Sequence, residues 1–135
     1  MSIFFSYSDG GARGNPGPSA IGVVIKDAAG ATLKEIREYI GEGTNNQAEY
    51  LALIKALEIM IEHNASQVVC HLDSELVVKQ MKLEYKVKDA KLQQLFLRAI
   101  NLSRKIGRVE YKHIRRELNS HADALVNKAL DERAG

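Results

Sequence analysis

Apolar and polar positions change their period several times along this chain, and each change marks an element. Ile3 to Ser8 is a short apolar and aromatic run halted at Asp9-Gly10-Gly11, which predicts a buried strand ending in a turn. Gly and Pro crowd the stretch from Gly10 to Pro18, so it reads as a loop, and a second strand resumes from Ala20 to Lys26. Ala28-Ala29-Gly30 turns the chain into a third strand, about Thr32 to Ile40, making the first three elements an antiparallel meander. Thr44-Asn45-Asn46-Gln47 has the spacing of a capping box, in which hydroxyl and amide side chains satisfy the orphan backbone groups of a helix start. That helix should run to about His63. A fourth strand is expected over Val68 to Leu72, then a short helix from Asp73-Ser74 to about Lys82. Leu92, Leu95, Phe96, Ala99 and Ile100 share one face of a helix spanning Asp89 to Arg104. Arg108 to Ile114 reads as a fifth strand, and Ser120-His121-Ala122-Asp123 opens a last helix. Lys86 to Lys88 fits neither period.

A strand meander followed by alternating helices and strands predicts an α/β fold, a mixed sheet with helices on both faces. Such sheets place their sites at strand ends and topological switch points. With 135 residues, 45% hydrophobic and 27% charged, the chain has the size and composition of a single domain, 1–135. No apolar run approaches the roughly 18 residues of a bilayer span, and the start, Met1-Ser2-Ile3-Phe4-Phe5-Ser6, lacks the character of a signal peptide. The expected location is cytoplasmic, with no membrane partner. One cysteine, Cys70, excludes an intrachain disulfide, and His63 and His71 do not complete a zinc spacing around it.

Net charge is only +2, but its distribution is uneven. Between Lys79 and Arg116 lie twelve Lys or Arg against three acids, a balance of +9, and the remainder carries seven bases and fourteen acids, or −7. A basic half beside an acidic half suits a protein that holds a polyanion with one part and uses carboxylates in the other. Lysines on solvated helix faces have the same composition.

Four acids stand out. Asp9 and Asp73 each end a predicted strand, where they could face one crevice, start an Asx turn or cap a helix. Glu49 shares a helix face with Leu53, Ala56 and Met60, so it points toward the core, where an acid needs a partner, a proton or a cation. Asp123 shares a face with Val126 and Leu130, and could also complete a capping box with Ser120. If the four converge, their repulsion calls for divalent cations. All-oxygen ligands favour Mg²⁺ or Mn²⁺, shared between carboxylates and substrate phosphates. Two such ions about 3.5–4 Å apart can activate water on one side of a phosphodiester and stabilise the leaving oxygen on the other. The glycines at 10, 11, 14 and 17 match neither a dinucleotide fingerprint nor a P-loop, and they lead into a strand, so nucleotide binding is disfavoured.

Tyr7-Ser8-Asp9-Gly10-Gly11 with Gly14-Asn15-Pro16-Gly17, Thr44-Asn45-Asn46-Gln47-Ala48-Glu49, Leu72-Asp73-Ser74, and Asn119 through Ala122-Asp123-Ala124-Leu125 together resemble the ordered blocks of type 1 ribonuclease H. The resemblance covers nearly the whole chain. It implies a ribonuclease H-like five-stranded mixed sheet whose second strand is antiparallel to its neighbours. It also implies a two-metal endonuclease that cuts the RNA strand of an RNA/DNA hybrid, leaving a 5′-phosphate and a 3′-hydroxyl. Asp9, Glu49, Asp73 and Asp123 would be the catalytic, metal-binding acids, and Gly11, Asn15, Thr44, Asn45 and Asn46 would contact substrate. Amides can pair with base edges and 2′-hydroxyls in the wide minor groove of such a duplex.

The chain also departs from that pattern. Glu75 stands where many relatives carry Gln, the loop that bears a mobile His is reduced to Arg115-Arg116-Glu117-Leu118, and a Trp-bearing basic protrusion is absent. His121, Glu75 and Arg116 are retained as auxiliary candidates, and His113 falls in a strand. The alternatives are a hybrid- or double-stranded-RNA-binding module without turnover, and a related nuclease acting on double-stranded RNA or DNA junctions. No protein partner is inferable.

Overall fold

The computed structural model describes residues 2–134, and among these the elements follow an alternating order. Three strands come first, β1 (Ile3–Ala12), β2 (Gly17–Asp27) and β3 (Thr32–Gly43), then α1 (Asn45–Glu62) and β4 (Gln67–Leu72). Two helices, α2 (Glu75–Met81) and α3 (Ala90–Ile106), precede β5 (Arg108–His113), and a short 3-10 turn (Arg116–Asn119) leads into α4 (Ser120–Ala134). The sheet order is β3-β2-β1-β4-β5, with β2 antiparallel to both neighbours and β1, β4 and β5 parallel. This is the mixed sheet the sequence predicts.

Residues of β2 alternate between two layers. Ile21, Val23 and Ile25 enter the main core with Tyr50, Leu53, Leu57 and Met60 of α1, while Ala20 packs with Val126, Ala129 and Leu130 of α4 on the other face. Leu53, Leu57 and Met60 are fully buried, and each side chain of this kind contributes about 1.5–3 kcal/mol by leaving water. The capping box forms as expected: Thr44 Oγ1 accepts from Gln47 N at 3.1 Å, and Gln47 Oε1 accepts from Thr44 N at 3.0 Å. It fixes where α1 starts, and hence where Glu49 lies.

The structure corrects the sequence reading in several places. β1 does not stop at Ser8; its pairing with β2 continues through Asp9↔Gly22 to Ala12↔Ser19. Gly10 marks a close approach instead of a turn, because a Cβ there would be driven into the backbone of Ala48. The turn is confined to Arg13–Pro16, where Gly14 has φ +90 and Arg13 N donates to Pro18 O. The unassigned stretch before α3 is a tight connection: Leu83 sits at φ +65, Glu84 N donates to Lys79 O, and the Asp89 carboxylate caps α3 through Leu92 N at 2.9 Å. Strand five ends at His113, and the 3-10 turn after it has no counterpart in the sequence pattern. No helix among the described residues is long and apolar enough to cross a membrane.

Gly22, opposite Asp9, tests this packing. A Cβ there would meet the Ala122 carbonyl and Leu125 of α4, so Gly22→Ala is expected to destabilise the fold by about 1–3 kcal/mol through overpacking. Urea unfolding measures this, and an unchanged midpoint would show that α4 yields freely.

Candidate active site

Pairing between β1 and β4 ends at Ser8↔Leu72, so Asp9 and Asp73 each stand one residue beyond the last rung, side by side at one edge of the sheet. Glu49 reaches them from α1, because the bare backbone of Gly10 lets that helix press onto β1, and Gly10 N donates to Glu49 Oε1 at 3.0 Å. One carboxylate oxygen from each of Asp9, Glu49 and Asp73 lies within 4.8 Å of the others. Asp123, on the first turn of α4, lines the same cleft but stands outside that tight trio.

Local bonding decides between the readings left open by the sequence. Ser74, not Asp73, caps α2 through Val77 N at 3.3 Å, and Asp73 Oδ2 instead accepts from Asn119 Nδ2 at 3.0 Å. Ser120 already has helical backbone angles and so is no cap for Asp123, whose carboxylate accepts from Asn127 Nδ2 at 3.4 Å. Asp9 and Glu49 are 8% and 6% exposed, whereas Asp73 and Asp123 are half-buried.

Burial pushes the Asp9 carboxyl up to about 6, with Asp73 and Asp123 adding to the rise and the neighbouring Glu49 carboxyl opposing it. Glu49 is held well above the usual carboxylate range, first by burial and then by Asp9, against the lowering effect of the Gly10 N–H. Glu49 Oε2 is buried without a hydrogen-bonding partner. An orphaned carboxylate oxygen beside two other acids is the donor set of a hard divalent cation, which would bind all-oxygen ligands and relieve the repulsion. Asp9, Glu49 and Asp73 could hold such an ion, with Asp123 at its margin.

The cleft around these acids has a volume of ≈420 Å³, and Gly11, Asn45, Asn46 and Arg116 line it with Arg13 and Asn127. Asn45 Oδ1 accepts from Ala12 N at 2.9 Å, and Asn15 Oδ1 accepts from Asn45 N at 3.0 Å, so two amides tie the β1–β2 turn to the start of α1. Each keeps its Nδ2 donors for another partner. Thr44 lies behind them as the α1 cap. His121 goes elsewhere: its Nε2 meets Glu35 Oε1 at 2.8 Å, and it lines a separate pocket with Tyr7 and Lys26. Glu75 faces Lys79 at 3.4 Å and His113 at 3.8 Å, outside the acidic cleft. Arg13 and Asn127 escaped the sequence reading. Arg13 was hidden in the Gly/Pro run, but Asn127 stands four residues after Asp123, a spacing that puts both on one helix face.

The order and directions of the five strands are those of the ribonuclease H-like class, and comparison with known proteins agrees. Residues 7–129 match the family described as reverse transcriptase-like. Ribonuclease HI of Halobacterium salinarum is 40% identical over 127 residues, covering 94% of this chain and 64% of that protein. A bifunctional protein of Mycobacterium tuberculosis is 41% identical over 128 residues, covering 94% of this chain but 35% of its own length, so the chain spans about a third of that relative. The solved structure of a ribonuclease H1 isolated from compost superposes with a TM-score of 0.94 at 46% identity, covering 100% of both chains. The same enzyme in complex with an RNA/DNA hybrid gives a TM-score of 0.92 at 44% identity, again over 100% of both chains. The chain belongs to the reverse transcriptase-like family, in its ribonuclease H group.

The raised Asp9 carboxyl makes the cation-free fold sensitive to pH. Because the folded state holds this proton more tightly than the unfolded chain, its contribution is complete below the ordinary value of 3.8 and is lost as pH rises to about 6. That shift corresponds to about 3 kcal/mol, and Glu49 acts with the same sign. Urea unfolding of chelator-treated protein between pH 4 and pH 7 should therefore show falling stability, with a shallower fall in Asp9→Asn. Parallel slopes in the two proteins would contradict the burial of this charge.

Proposed function

We propose that this chain is an endonuclease that hydrolyses the RNA strand of RNA/DNA hybrids, leaving a 5′-phosphate and a 3′-hydroxyl. Asp9, Glu49, Asp73 and Asp123 are its catalytic acids, together holding two Mg²⁺ or Mn²⁺ ions. The observation that carries the reading is the meeting of three carboxylates within 4.8 Å in an open cleft, one of them with an orphaned buried oxygen. The hybrid complex of the compost enzyme supports the choice of substrate, and the absence of a membrane-crossing helix among the described residues is compatible with action in the cytoplasm.

Asp9, Glu49, Asp73 and Asp123 would hold divalent cations, which when bound would supply charge neutralisation, an activated water and stabilisation of the departing oxygen of a phosphodiester. The chain's own residues orient the strand. Asn15, Asn45 and Asn46 present amides where a minor groove carries 2′-hydroxyls and base edges, Gly11 lets the backbone approach closely, and the Thr44 hydroxyl suits a phosphate. Arg116 brings a guanidinium to the cleft wall, and its planar donors match phosphate geometry. The basic segment from Lys79 to Arg116 adds affinity through counterion release. Burial of Asp9 and Glu49 keeps bulk water from screening the charges that act on the scissile bond.

A panel of labelled duplexes tests this directly. With Mg²⁺ or Mn²⁺ the protein should cut the RNA strand of a hybrid and leave an all-DNA duplex intact, because DNA lacks the 2′-hydroxyl that Asn45 and Asn46 read. Asp9→Asn should stay folded by circular dichroism and lose about 100-fold or more in kcat, the scale seen when one preorganised electrostatic contribution to the transition state is removed. Equal cutting of DNA and hybrid would overturn the substrate, and near-normal turnover by folded Asp9→Asn would overturn the assignment of the acids.

A further inference from the structure

Asn119 closes the 3-10 turn ahead of α4 and is 1% exposed. Its Nδ2 donates to Ser8 O at 2.9 Å and to Asp73 Oδ2 at 3.0 Å, which uses both amide hydrogens. Turning the amide over would set Oδ1 against two acceptors, so the surroundings fix its orientation. In that orientation no protein donor meets Oδ1, so the side chain is placed for what its nitrogen does. Through Ser8 it grips the strand one residue before Asp9, through Asp73 it grips a second acid, and its own backbone lies one turn ahead of Asp123. One buried amide thus touches three of the segments that carry the acids.

We infer that Asn119 is a positioning residue for the cation site: its amide holds one oxygen of Asp73 and leaves the other for a divalent ion. This rests on the reading of the cluster as a cation site. The choice of side chain is chemically specific. A Lys or Arg in this place would also orient Asp73, but its charge would neutralise the carboxylate and compete with the cation. A neutral donor orients the ligand and leaves its charge available, as partners of metal-binding carboxylates commonly do. The same bond joins the end of β4 to the start of α4, so the placement of Asp73 and that of Asp123 are set together.

The test is Mn²⁺ binding by calorimetry on the folded protein without substrate, for wild type, Asn119→Ala, Asn119→Asp, Asp73→Asn and the double variant Asp73→Asn/Asn119→Ala. Circular dichroism fixes a temperature at which each is folded. Loss of an outer partner of a metal ligand should weaken Mn²⁺ affinity roughly 10- to 100-fold in Asn119→Ala. Asn119→Asp, which keeps the shape but loses the donors, should weaken as well. If Asn119 acts through Asp73, its removal should cost nothing further in the Asp73→Asn background. Wild-type affinity in both Asn119 variants would overturn the inference. So would an equal loss from Asn119→Ala in the wild-type and Asp73→Asn backgrounds, which marks a general effect on the fold. Failure of the wild type itself to bind Mn²⁺ would instead overturn the cation-site reading.

Discussion

Carboxylates gathered within 4.8 Å of one another beside a hydrophobic core repel, and the molecule is built around holding them there. Burial worsens the repulsion by removing water, which is why Asp9 keeps its proton up to about 6. The forces that oppose it come from the fold. β1 and β4 are parallel and their pairing ends at Ser8↔Leu72, which sets Asp9 beside Asp73. The apolar face of α1, anchored by Leu53, Leu57 and Met60, carries Glu49 inward, and the missing side chain of Gly10 lets the helix approach. Several strong apolar contacts sustain one unfavourable electrostatic arrangement. A site kept under such repulsion is poised for a cation.

The bonds inside the cluster reinforce this. Glu49 accepts from Gly10 N, Asp73 from Asn119, and Asp123 from Asn127, and all three donors are neutral. Arg13, on the cleft wall, is placed differently. Arg13 is engaged with Asp131 at 2.6 Å, on the last turns of α4, and so braces the β1–β2 turn without cancelling the acids. The basic residues of the chain concentrate between Lys79 and Arg116, outside the sequence blocks that carry the four acids.

Much of this is legible in the sequence because the signals are local. The capping box at Thr44 and Gln47 announces α1, and the apolar period through Leu53, Ala56 and Met60 shows that Glu49 points inward. Asp9 and Asp73 are visible as acids at the ends of apolar runs. What escapes depends on contacts distant in sequence. The run of glycines from Gly10 looks like a loop, and only the approach of Ala48 to Gly10 explains why the strand needs a glycine there. The bond from Asn119 to Ser8 spans 111 residues, and no periodicity encodes it. His121 shares a helical turn with Asp123, but its side chain projects toward Glu35 on β3.

The proposed counter-charge of Asp9, Glu49 and Asp73 is a divalent cation, not a further set of protons. Thermal unfolding at pH 8, followed across a titration of Mn²⁺, measures it directly, because a ligand that binds only the folded state raises stability by about 2.7 kcal/mol at one hundred times its dissociation constant. The predicted result is a midpoint that climbs with Mn²⁺ in the wild type and stays nearly flat in Asp9→Asn. A wild-type midpoint indifferent to Mn²⁺, or one that climbs equally in both proteins, would contradict a cation site built on these acids.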